Sequence, residues 1–176
     1  MAKSIWVIDP THSEIGFKVK HMMFTNVSGK FNRFQATVEM EDDQFESAHI
    51  SFGADVNSID SNHVDRDNHL RSADFFDVER FPKIGFISTA IDKVNEGQFR
   101  VTGELTIKDT TRPVTLDVEY SGLLKDPWGN TKIGVSIAGK INRRDFGLTW
   151  NAALETGGVL VGEDIKLIAE AQFVKQ

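Results

Sequence analysis

The stretch HVDRDNHLRSADFFD, from His63 to Asp77, gathers two histidines, four aspartates and two arginines beside a Phe-Phe pair. Imidazole and carboxylate at close spacing are the groups that general acid–base chemistry or metal ligation requires. Ser58, Asp60, Ser61 and Asn62 offer capping side chains and no Gly or Pro interrupts the run to Ser72, so a helix of about ten residues from Asn62 is expected. On that helix His63 and His69 stand about 120° apart around the axis, too far to share an ion. Paired helical ligands stand at i and i+4, as in the zinc motif HExxH, which is absent. Asp65 and His69 have that spacing and could orient an imidazole as a base or a ligand. Asp67 and Arg71 share it and could pair at the surface for ~0.3–0.5 kcal/mol. The plainer alternative is a helix whose charged groups bond to neighbouring loops. Ser72 and Asp74 are placed to cap a short turn holding Phe75 and Phe76, and Pro82 marks the return to extended chain.

The other candidates for chemistry are weaker. His12 and His21 flank an extended segment, on opposite faces and roughly 30 Å apart, so each is expected to be a structural, hydrogen-bonded histidine. His49 falls on the polar face of its strand. No G-x-S-x-G occurs. Gly157-Gly158 has neither the Lys-Ser/Thr nor the helix of a phosphate loop and reads as a turn. Asn142 to Trp150, NRRDFGLTW, sets two arginines beside Phe146 and Trp150. It could line a barrel mouth, with Arg meeting an anionic or polar head group, or form a structural corner.

The elements that must position these residues are strands. Apolar residues alternate with polar ones along Ile15–Val19, Phe34–Met40, Ala48–Val56, Ile84–Phe86, Phe99–Ile107, Val114–Tyr120, Ile133–Ile141 and Ile165–Phe173, with a shorter segment at Ile5–Ile8. One apolar and one polar face per strand excludes a parallel α/β sheet. Short connections with turn chemistry, such as Asn95-Glu96-Gly97 and Asp126 to Asn130, suit antiparallel hairpins. The expectation is an all-β domain over residues 1–176, an eight-stranded antiparallel up-and-down barrel closed on itself, with a two-sheet sandwich as the alternative. A barrel of this size is either filled by side chains or holds one small ligand. Small residues on inward positions (Ala36, Ala54, Ala169, Gly139) are compatible with both.

Composition bounds the partners. The net charge of -6 argues against a nucleic-acid backbone. With no cysteine there is no disulfide, thiolate site or cysteine nucleophile. Gly, Pro or charge interrupts every apolar stretch, so no membrane span is expected. No signal peptide is visible, so a soluble cytoplasmic protein is expected; a mature exported form behind a new Met would look the same and would be periplasmic. The 13 Phe against one Tyr favour dry surroundings, in either a packed core or a deep apolar cavity.

Several segments together resemble one family. They are W-x-I-D-x-x-H-S-x-I-x-F-x-V-x-H from Trp6 to His21, R-D-x-H-L-R-S-x-D-F-F-D from Arg66 to Asp77, and F-P-x-I-x-F from Phe81 to Phe86. G-x-L-T-I-K and T-R-P-V-T-L between Gly103 and Leu116, and N-R-x-D-F-G-L-x-W from Asn142 to Trp150, complete the set. The chain resembles the YceI-like family of bacterial polyisoprenoid-binding proteins over nearly its whole length. The departure is Lys108-Asp109, where the family commonly carries a Gly-containing turn, and it concerns a hairpin tip.

The resemblance implies an extended lipocalin-like barrel of eight antiparallel strands with a helix covering one end. It also implies a long apolar tunnel for a polyisoprenoid, an isoprenoid quinone or precursor, or a fatty-acid derivative, for carriage or storage. It brings no catalytic residue, metal or cofactor. The hydrophobic small molecule is thus the expected partner, and a homodimer is left open. Alternation alone nominates Phe17, Val19, Phe34, Val38, Phe52, Phe86, Val101, Leu105, Val118, Val135, Phe146 and Trp150 as lining residues. Leu70, Phe75 and Phe76 are expected to face the interior from a lid, with His69 or Arg71 at the ligand's head group. The alternatives are an enzyme with His69, Asp65 and Arg71 as its polar centre, and a protein-interaction domain acting through its rim loops.

Overall fold

The computed structural model describes residues 2–154 and 158–176. In chain order its elements are β1 (Lys3–Ile8), β2 (Glu14–His21), β3 (Thr25–Phe31), β4 (Phe34–Glu41), β5 (Gln44–Asp55), β6 (Ile59–Asp60), α1 (Val64–Arg71), β7 (Lys83–Asn95), β8 (Gln98–Ile107), β9 (Thr110–Lys125), β10 (Thr131–Asn142) and β11 (Val161–Lys175). Every pairing between them is antiparallel.

Closure follows from the pairings of β11. It bonds to β10 along its whole length on one side. On the other it meets β2 with its first half and β1 with its last residues, through Glu14↔Glu170 and Ile8↔Phe173. β1 and β2 are therefore two parts of one stave, broken by a 3₁₀ turn at Pro10–His12. Asp9 caps that turn by accepting from the Thr11 N–H at 3.1 Å. β3 and β4 form the adjoining stave, since β3 pairs with β2 and β4 with β1. With β5, β7, β8, β9 and β10 these make the closed eight-stranded antiparallel barrel expected from the alternation, one helix lying over one end. Each stave thus has a hydrogen-bonded neighbour on both sides, and the ring closes on itself.

The barrel interior divides along its axis. Away from the helix it is solid: Trp6, Met40, Phe45 and Ile133 are at most 3% exposed. There Phe45 stacks on Tyr120 with centroids 4.5 Å apart and meets Phe99 edge to face at 4.8 Å. Toward the helix the inward side chains stop short of one another.

Two sequence expectations change. β3 was not among the expected strands because its segment, TNVSGKF, puts Gly29 at an inward position and so loses the alternation. The reason for glycine is packing: a Cβ at Gly29 would collide with Cζ of Phe17. The helix begins later than Asn62, because Asn62 has φ 63°, outside helical geometry. His63 caps it instead, its Nδ1 accepting from the Arg66 N–H at 3.1 Å. Of the Gly157-Gly158 turn, Gly157 lies outside the described residues, while Gly158 has φ 87°.

Candidate functional site

Beneath the helix lies a cavity of about 240 Å³. That is many times the ~10–15 Å³ needed to admit one water, yet the walls offer a water almost nothing to bond to. Strands from all around the ring contribute, among them Phe17 and Val19 of β2, Phe31 of β3, Phe52 and Ala54 of β5, Phe86 of β7 and Leu167 of β11. The fit of rings into the wall is local. At Gly103, as at Gly29, a Cβ would collide with an aromatic ring, here Phe86, so glycine lets the ring lie flat in the wall.

Arg143 carries the one polar side chain among the described lining residues. It is 2% exposed and begins a 3₁₀ turn, Arg143–Phe146, where β10 ends. Its guanidinium donates to the carbonyls of Gly162 (2.8 Å), Leu148 (2.6 Å), Trp150 (2.9 Å) and Val161 (3.3 Å). Burial lowers its pKa from the ordinary arginine value. Four of its five N–H groups are thus engaged in fastening the segment after β10 to the start of β11. Arg143 is thus the structural corner of NRRDFGLTW, and it also lines the cavity.

The lid is hung by polar bonds. Buried Asp67 accepts from the Ser61 backbone N–H at 2.8 Å and from the Ser61 hydroxyl. Arg66 donates to Ser61 O at 2.6 Å, and Arg71 donates to Asn57 O and Ile59 O at 3.1 and 3.0 Å. Asp60, just before the helix, accepts from the Asn62 N–H and from Asn32, which hold its carboxyl below the usual carboxylate range. The expected Asp67–Arg71 pair does not form, because both side chains turn to the β6 segment. Nor does Asp65 orient His69, which bonds Asp74 at 2.9 Å. Asp74 is therefore not a cap, whereas Ser72 is: its Oγ accepts from the Asp74 N–H at 3.3 Å, and its carbonyl closes the turn by accepting from the Phe75 N–H at 3.0 Å. His69 then packs edge to face against Phe75 at 5.0 Å and Trp150 at 4.6 Å, while Phe75 meets Trp150 at a tilt at 5.3 Å, and the three rings join the lid to the segment that Arg143 holds.

Of the residues nominated from sequence, Phe17, Val19, Phe52, Leu70, Phe75, Phe76, Phe86, Val101, Leu105 and Val118 line the cavity. Val38 and Val135 do point inward, as alternation requires, but at 2% and 8% exposure they belong to the solid core. Phe34 packs half-buried against that core, and Phe146 is buried beside it at 2%. Trp150 and His69 stand in the latch outside the cavity wall. Asp65, His69 and Arg71 share no hydrogen bond, and none of them lines the cavity. His12 is hydrogen-bonded to Asp9 at 2.8 Å, and His49 is exposed. Not nominated were Phe31, hidden by the loss of β3, and Arg143 with Leu148, whose signal was the NRRDFGLTW motif alone. Among the described residues no group of three or more His, Cys, Asp or Glu is placed to hold a metal, and no helix is long and apolar enough to cross a membrane.

Comparison with known proteins agrees with this architecture. A model of the YceI-like domain matches residues 6–173. A UPF0312 protein of Staphylococcus aureus (strain MSSA476) is 38% identical over 169 residues, covering 96% of each chain. One from Staphylococcus epidermidis is 40% identical over 166 residues, covering 94% of each. Among solved structures, the Campylobacter jejuni YCEI protein superposes with a TM-score of 0.76 at 29% identity, covering 89% of this chain and 90% of that one. Burkholderia cenocepacia BcnA has a TM-score of 0.79 at 22% identity, covering 94% and 98%. A polyisoprenoid binding domain from Saccharophagus degradans has a TM-score of 0.67 at 12% identity, covering 100% and 99%; these last two share the fold.

Proposed function

Taking as premise that the chain belongs to the YceI-like domain family, we propose that it binds a long apolar amphiphile in the hollow half of its barrel, for carriage or storage. The observation that carries this reading is a cavity walled by apolar side chains on every stave, with Arg143 the one cation among the described residues that line it. A polyisoprenoid, an isoprenoid quinone or its precursor, and a fatty-acid derivative all have the required shape. Each buried CH₂ contributes about 0.8 kcal/mol, so a chain needs no polar partner to bind tightly. The N–H left over on Arg143 is the place for a polar or anionic head group. The name of the Saccharophagus domain, a polyisoprenoid binder of the same fold, favours the isoprenoid among these ligands. We propose binding without turnover, since no base, nucleophile or metal cluster among the described residues faces the cavity.

Native mass spectrometry of the purified protein, before and after organic extraction, tests this. The expected result is an added mass that extraction removes and that an isoprenoid, quinone or fatty acid restores. A protein that carries no amphiphile and binds none of the three would overturn the reading.

A further inference from the structure

Beside the cavity, the hairpin joining β2 to β3 ends in a tip that cavity binding does not use. The tip is a turn closed by the Phe24 N–H donating to the His21 carbonyl at 3.2 Å. Its central residues Met22 and Met23 both have positive φ, 52° and 68°. Such mirror-image turns favour Asn, Asp and Gly, which tolerate the left-handed region. The β4–β5 hairpin at the other end of the barrel obeys that preference, with Asp42 and Asp43 at φ 52° and 54°. At the tip the same backbone holds two methionines, and neither the core nor the cavity covers them. Met22, Met23 and Phe24 are 44%, 57% and 82% exposed, and Val159 extends the patch at 36%.

The charges next to this patch run against the trend of the chain. Lys18 of β2 lies directly across from Lys166 of β11, and Lys166 directly across from Lys140 of β10. Like charges on facing strand positions destabilise a sheet. Lys20 lies on the same outer face of β2, two residues nearer the tip. The acidic neighbours are already engaged, Asp164 by Lys140 and Glu163 by Arg144. Lys18, Lys20 and Lys166 stand in no ion pair among the described residues. In a chain of net charge -6 this leaves a local cationic row beside exposed apolar side chains.

We propose that the β2–β3 tip docks on an anionic phospholipid surface. Met22, Met23 and Phe24 enter the interface while Lys18, Lys20 and Lys166 meet lipid phosphates. An apolar patch alone would suit a protein partner equally; the lysine row selects the lipid. Docking relieves both local costs, the uncovered methionines and the facing lysines. It also sets the cavity wall against the bilayer, because His21 pairs with Val161, which with Val19 lines the cavity. The proposal extends the cavity reading but stands without it, since vesicle binding is measured whatever the cavity holds.

The test is co-sedimentation of the full chain with phosphatidylcholine vesicles, with and without about 30% phosphatidylglycerol. The wild type is expected to partition onto the mixed vesicles and to be largely released at about 0.5 M NaCl. The variant Met22→Asn/Met23→Gly/Phe24→Ser gives the turn the residues its backbone prefers. It is expected to keep or raise its Tm while its partition falls by about tenfold or more. Lys18→Glu/Lys20→Glu is expected to lower partition comparably with the tip intact. The proposal is overturned if wild-type protein stays in the supernatant, if the tip variant partitions as the wild type does, or if phosphatidylcholine alone binds as well as the mixture.

Discussion

The half of the barrel around Trp6 and the half beneath α1 are continuous in their strands and differ in what the inward side chains meet. In the first, Trp6 is fully buried and the rings of Phe45, Phe99 and Tyr120 pack against one another, one pair stacked and two edge to face. In the second, Phe17, Phe31, Phe52 and Phe76 point inward by the same alternation yet stay half-buried, facing the cavity. Alternation assigns a side chain to a face; where the facing wall stands decides whether it finds a partner. The 3₁₀ turn between β1 and β2 marks the change, because there the stave leaves β4 and takes β3 as its neighbour. The closures differ as well, tight aromatic packing at one end and a lid hung on Asp67, Arg66 and Arg71 at the other.

The sharpest way to break this contrast is to remove one large side chain from each half. Trp6→Ala is expected to cost about 3–5 kcal/mol in chemical denaturation. Phe52→Ala, whose ring already faces a void, is expected to cost less than half as much. Equal losses would show that the two halves are packed alike. Next in size is Asp67→Ala, which strips the Ser61 N–H and hydroxyl of their acceptor for about 2 kcal/mol. Hydrogen exchange should then quicken in α1 and β6 and stay unchanged in β1 and β4.

Asp9, at the corner between the halves, gives a smaller and pH-dependent effect. The His12 hydrogen bond, followed by that of Thr11, lowers its pKa from 3.8 to about 2. Because the folded-state value is depressed, the contribution is complete above the unfolded value and is lost as the pH falls through the folded one. Asp9→Asn should cost about 1 kcal/mol at pH 7, after allowance for solvent screening, and the two stability curves should converge between pH 4 and pH 2. The smallest expected stability change is that of Ala54→Leu, which grows into the cavity and should shift stability by no more than about 0.5 kcal/mol. The same enlargement at Ala48, in the solid half, should cost about 1–3 kcal/mol. Under the proposed function Ala54→Leu also weakens binding of the amphiphile, so calorimetry with an isoprenoid separates room for a side chain from room for a ligand.

Much of this was legible in the residues themselves. Alternation located most of the staves and their inward faces, and the motifs from Trp6 to Trp150 pointed to the family. Ten of the nominated lining residues do stand on the cavity wall. Val38 and Val135 were misplaced only in height, since a period of two carries no information about position along the barrel axis. β3 stayed hidden because Gly29 makes room for Phe17, a partner on another strand that no local pattern reveals. The polar stretch from His63 to Asp77 misled in a similar way. Its i and i+4 spacings were right for pairing, but better partners waited at Ser61, Asn57 and Ile59, which the fold brings alongside.

The residue order by itself thus determined the class of element, the face that most strand side chains take and the antiparallel arrangement, because backbone geometry and solvent act on every residue locally. It also determined that the interior would be apolar. Only the tertiary structure decided that the barrel is solid at one end and hollow at the other, that Arg143 lines the cavity, and that Met22 and Met23 stand exposed near Lys18 and Lys166, which are unpaired among the described residues. Those outcomes depend on distances between residues far apart in the chain, set jointly by all the staves.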